Sequence, residues 1–198
     1  MNYKKIFLNT TIIFILCSIF HFIYNFIPNF ITSLFFPVNE SIWEHLKMIF
    51  SSTVLFSFIY NAIYHEENFL LRAYVRSMAT IIILLILYLP LRFMFGEIMI
   101  VTLIVLYISI FISEIIVSKI STKKHYKTLN LISAILLIIN LFLFIIFTYY
   151  PPKNFLFLDT ESNKYGINIL NKWLTYKCFN IFININIYNS LINNFYKS

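Results

Sequence analysis

Charge is scarce in this sequence. Only 12% of its 198 residues are Asp, Glu, Lys or Arg, against 60% hydrophobic, and the mean hydropathy is +0.81. A water-soluble domain of this length leaves most of its surface in water and needs more charge than that; a bilayer removes the need. Glycine is rarer still, with Gly96 and Gly166 alone. With its two glycines 70 residues apart (166 minus 96), the chain holds no glycine-rich phosphate loop and no nucleophile elbow. The two cysteines, Cys17 and Cys178, cannot build a disulfide framework, and there is no Cys-x-x-Cys. Cys17 lies inside an apolar run, where a small buried thiol is ordinary packing. Neither His-x-x-x-His nor His-Glu-x-x-His occurs. No internal repeat stands out, which leaves an inverted-repeat transporter unsupported.

Basic residues outnumber acidic ones, giving a net charge of +7. They are scattered between apolar runs rather than gathered into a stripe, which argues against nucleic acid as a partner. The abundance of Phe, Ile, Asn, Lys and Tyr is what an AT-rich genome would impose, so the aromatic content carries no functional weight.

Long apolar runs are what the chain has in quantity. A helical span needs roughly 20 mostly apolar residues to cross ~30 Å of hydrocarbon. Five stretches qualify: residues 6–27, 41–64, 71–89 (closed by Pro90), 97–117 and 129–149 (closed by Pro151 and Pro152). Each is expected to be helical, because a helix satisfies its own backbone groups in lipid. The fold class is therefore all-α, a polytopic membrane helix bundle with the lipid bilayer as its principal partner. Protein partners are not indicated. The N-terminal run is too long for a signal peptide and lacks a small-residue cleavage site, so it reads as an uncleaved first span. Residues 28–38, short and bounded by prolines, read as an interfacial or re-entrant segment.

Three parts follow: a transmembrane bundle (1–150), an outer loop segment (151–167) and a low-complexity, Asn-rich tail (168–198) to which no role is assigned. Lys and Arg set the orientation. With the N-terminus in the cytoplasm, Lys4, Lys5, Arg72, Arg76, Lys119, Lys123, Lys124 and Lys127 fall inside, while the short outer segments hold Lys47 and Arg92. The expectation is a plasma-membrane protein with its C-terminus outside.

Ionisable groups within spans are costly and hence functional candidates. That topology sorts them into one outer layer: His21, roughly 9 Å below the end of the first span, then Glu40, Glu44, His45 and Lys47 at the start of the second. Glu97 opens the fourth span on the same side, beside Arg92. Glu114, near the inner end of the fourth span, is expected to pair with Lys119 or the neighbouring basic loop.

The densest piece is Pro37-Val38-Asn39-Glu40-Ser41-Ile42-Trp43-Glu44-His45-Leu46-Lys47. Its structural reading is a well-anchored helix start. Ser41 and Glu44 form a capping box, Trp43 joins an interfacial aromatic belt, and Glu44 pairs with Lys47. On a helical wheel Glu40, Glu44, Lys47 and Ser51 share one sector while His45 points about 100° away. The functional reading is a cluster of His21, Asn39, Glu40, Trp43, Glu44, His45, Lys47 and Glu97. Within it, His21, Glu40, Glu44 and His45 could hold a divalent metal with N/O ligands and an open position for water. Such a site suits hydrolysis of a lipid or phosphoester at the outer leaflet. Adjacent Glu44 and His45 cannot both face one ion without distortion. A proton or cation relay serving transport uses the same residues, and a scaffold or sensor uses none of them chemically.

The same segment resembles the signature of a family of uncharacterised multi-pass membrane proteins from low-GC Gram-positive bacteria, known as a domain of unknown function. The resemblance covers about residues 6–167. It rests on His21, Phe22 and Tyr24, on Pro37 through Lys47, and on Pro151, Pro152, Leu156, Phe157, Asp159, Tyr165, Gly166 and Ile167. It implies a shared fold and a shared site but lends no activity, substrate or cofactor. The chain departs from the pattern after Ile167.

Overall fold

In the computed structural model, which describes residues 3–120 and 125–167, the described chain forms six helices in the order α1 (Tyr3–Phe26), α2 (Phe30–Phe35), α3 (Ile42–Tyr64), α4 (Phe69–Phe95), α5 (Met99–Ser118) and α6 (Lys127–Tyr149). All but α2 are long and apolar enough to cross a membrane. The fold class is thus all-helical and the five spans are those expected. The Asn-rich tail, with Cys178, lies outside the described residues, as do Lys123 and Lys124.

The long helices alternate in direction along the chain. α4 packs against α3, α5 and α6, and α1 lies across α3 and α5. The segments at 27–41, 96–98 and 150–167 thus gather at one end, termed the upper end. The distribution of polarity is that of a lipid-facing bundle. Phe7, Leu8, Ile15 and Ile19 of α1 are exposed, while Asn9 and Thr10 of the same helix are buried. Several interior hydroxyls fold back on their own helices, Thr53 donating to the Ile49 carbonyl (2.8 Å) and Ser57 to the Thr53 carbonyl (2.7 Å). Small hydroxylated side chains let helices approach closely. Cys17 is buried at 1% exposure, as its apolar context suggested.

Two local expectations change and one gains detail. Pro90 does not close its helix: α4 continues through it to Phe95 and ends at Gly96, whose N–H donates to the Arg92 carbonyl (2.9 Å). A proline costs one backbone bond, but in apolar surroundings leaving the helix would expose more. Arg92, now within the helix, reaches back across Pro90 to the Tyr88 hydroxyl (2.9 Å). The proline-bounded stretch after α1 contains α2, started by a reciprocal capping box between Asn29 and Thr32. The second change concerns Glu114. Instead of meeting Lys119, it pairs with Arg76, buried at 1% exposure, and accepts from the Asn9 amide (3.0 Å). Arg76 also donates to Ser57 (2.7 Å), so α1, α3, α4 and α5 share one buried polar knot near the lower end. The side chains of one span see the neighbouring spans before they see the loops.

Candidate functional site

Glu40 lies two residues before α3 and so is not on the helical wheel that grouped it with Glu44. Free of the helix, its carboxylate turns toward His45. One oxygen, Oε2, stands 3.4 Å from His45 Nε2 and 3.9 Å from His21 Nε2. The two imidazole rings are 5.3 Å apart between centroids. One ligand atom from each of His21, Glu40 and His45 lies within 4.8 Å of the others. These three side chains come from α1, the α2–α3 connection and α3, and each keeps 28–30% of its surface open.

The tautomer of His45 follows from its other nitrogen. Nδ1 lies 2.9 Å from the Ser41 carbonyl, which can only accept, so Nδ1 carries the proton. Nε2 then faces a carboxylate oxygen; a bare lone pair there would be repelled, and either a proton on Nε2 or a metal ion between the two atoms removes the repulsion. His21 Nδ1 is buried without a hydrogen-bond partner among the described residues. At Glu40, the His45 hydrogen bond and the charges of His45 and His21 hold the carboxyl below its ordinary value, against the opposing effect of burial.

The other sequence candidates are placed elsewhere. Glu44 and Lys47 pair at 2.5 Å in a second, closed centre, with Lys47 fully buried. Lys47 Nζ also donates to the Ser33 carbonyl and the Thr148 hydroxyl, both at 2.9 Å. Glu44 accepts from Thr148 (2.7 Å) and from the Val38 N–H (3.1 Å). The capping box is consequently half formed: Ser41 Oγ accepts the Glu44 N–H (3.4 Å), while the Ser41 N–H turns to Asn39 Oδ1 (3.0 Å). Trp43 packs among Phe144, Phe147 and Phe157. Glu97 meets Arg92 (3.4 Å) just before α5. An apolar groove of about 540 Å³, walled by Phe20, Phe36, Phe50, Leu55, Leu137 and Leu141, follows the Lys47 side of α3 and is not lined by His21, Glu40 or His45.

Segment 151–167 contributes what the sequence did not single out. The Asp159 carboxylate, 5% exposed, accepts the Glu40 N–H through Oδ1 (3.1 Å), and Thr160 Oγ1 donates to the Glu40 carbonyl (3.3 Å). Asn39 donates to the Gly166 carbonyl (2.9 Å), and the Trp43 N–H donates to the Leu156 carbonyl (2.9 Å). Gly166 is favoured by its φ of +72°, and a Cβ there would stand 3.2 Å from Pro151 Cγ, a tight contact that the proline would have to relieve. The sequence signal for this role was indirect, in that Asp159 and Gly166 belong to the segment that carried the resemblance.

Among known families, the one described as "Family of unknown function (DUF6512)" matches residues 1–167. The match takes in every described helix and the whole segment that folds over Glu40. No curated protein and no solved structure matches the chain.

Proposed function

We propose, from the premise that this chain belongs to the DUF6512 family of unknown function, that it is a multi-pass membrane protein whose His21, Glu40 and His45 hold one divalent transition-metal ion. The observation that carries the reading is the shared oxygen: both Nε2 atoms approach the same Glu40 Oε2. A proton could bridge one such pair; a metal ion serves both. With ligand bonds of 2.0–2.2 Å, neighbouring ligands on a tetrahedral ion stand about 3.4 Å apart. The two distances to Glu40, 3.4 and 3.9 Å, lie near that value, while the ligand atoms of the three residues, within 4.8 Å of one another, draw together on binding. Two imidazoles and one carboxylate suit zinc or ferrous iron and leave coordination positions for water or substrate. Glu44, fully engaged by Lys47 and Thr148, is left out of the ligand set.

The upper end is taken as the outer face of a bacterial plasma membrane, with the N-terminus in the cytoplasm. Arg76, Arg72 and Lys47 drop out of the charge asymmetry because they are buried in ion pairs. Lys4, Lys5, Lys119, Lys123, Lys124 and Lys127 then stand against Arg92 in the short outer segments, and the bias sharpens. A metal-bound water at that face suits hydrolysis of a lipid or phosphoester, since zinc lowers the pKa of its water to about 7.

Elemental analysis of protein purified in detergent and loaded with zinc tests the site. About one ion per chain is expected, lost in Glu40→Gln and His45→Ala and retained in Glu97→Gln. Zinc content no higher in the wild type than in Glu40→Gln overturns the reading.

A further inference from the structure

Two of the three proposed ligands, His21 and His45, sit on long helices whose backbones fix them. Glu40 does not. It lies in the connection between α2 and α3, with no helical hydrogen bond to hold its peptide units. What holds it comes from a segment 119 residues further along the chain. We infer that Asp159, assisted by Thr160, is a positioning residue for the metal centre, fixing the Glu40 backbone so that its carboxylate stays aimed between the two imidazoles. The inference rests on the metal reading above.

The geometry is a clamp on both sides of one residue. Asp159 Oδ1 takes the Glu40 N–H and Thr160 Oγ1 gives to the Glu40 carbonyl. The ties from Asn39 to Gly166 and from Trp43 to Leu156 bracket it. Asp159 is itself held. Its Oδ1 accepts the Glu161 N–H (3.3 Å), and its Oδ2 accepts both the N–H (3.3 Å) and the hydroxyl of Ser162. With both oxygens occupied and the side chain buried, Asp159 acts through Glu40 and is not itself a ligand. A metal site tolerates misplacement of a ligand by only about 0.5 Å. Outer partners that orient a ligand are typically worth 10–100-fold in metal affinity.

The test is a Co²⁺ titration of the full chain in detergent, followed by the visible ligand-field bands of the bound ion. Glu40→Gln serves as the control that removes a ligand. Asp159→Ala is expected to weaken Co²⁺ binding about 10–100-fold and to shift the bands, because Glu40 no longer meets the ion at its native angle. Asp159→Asn keeps an oxygen for the Glu40 N–H and is expected to recover most of the affinity. If Asp159→Ala unfolds, Thr160→Val, which removes one tie alone, decides in its place, with several-fold weaker binding expected. Wild-type bands with an unchanged affinity and spectrum in the deciding variant overturn the positioning role and leave the metal site standing. No bands in the wild type overturn the metal reading, and the positioning role falls with it.

Discussion

The carboxyl of Glu40 is pulled in two directions, lowered by the His45 hydrogen bond and the neighbouring imidazole charges and raised by burial, with a net lowering. A group whose pKa is depressed on folding stabilises the fold fully above its unfolded value, and that contribution is lost as pH falls through the folded value. In metal-free protein, thermal stability should therefore decline on acidification below the ordinary carboxylate range. Glu40→Gln should flatten that acid limb; equal acid limbs in the two proteins would show that Glu40 makes no such contribution. At the lower end, Arg76 and Glu114 are buried together at 1% and 3% exposure. Removing one partner leaves an uncompensated charge, so Glu114→Ala should lose about 3–5 kcal/mol in detergent unfolding. The double change Arg76→Met with Glu114→Leu should lose less than that single change, because no charge is left unpaired. The polar character of these residues could be read from the sequence, but their partners could not. Sequence proximity favours Lys119 as the partner of Glu114, whereas the bundle brings Arg76 across from α4.

At the scale of elements, length and hydropathy located every span, and the ends carried the errors. Ends depend on side chains that reach backward or across, as Arg92 does past Pro90 and as Glu44 does toward Val38 instead of Ser41. The stop of α4 belongs to Gly96, whose φ of 76° and ψ of −163° fall in a region essentially reserved for glycine. No neighbour lies within 4 Å of a Cβ added there, so the cost of Gly96→Ala is backbone strain alone. A loss of about 1–3 kcal/mol is expected in the same unfolding assay. A smaller loss would mean that the α4–α5 connection can relax.

Across the whole molecule, the lipid-facing exterior and alternating helix directions were legible in composition and run length. The site was legible only in part. His21 and His45 stood out as ionisable groups in spans, and Glu40 stood beside them. Their separation from Glu44 depends on where α3 begins, and the placement of Glu40 depends on a contact spanning 119 residues. Neither is encoded in local spacing. Orientation has a direct check: in a Cys178→Ser background, Lys119→Cys should resist an impermeant thiol reagent in intact cells and react after permeabilisation. The metal centre is tested most directly by X-ray absorption at the zinc edge on stoichiometrically loaded protein. A first shell of nitrogen and oxygen at about 2.0–2.2 Å is expected, with outer-shell scattering from two imidazoles that falls to one in His45→Ala. A shell without imidazole scattering, or one unchanged by that substitution, would contradict a metal held by His21, Glu40 and His45.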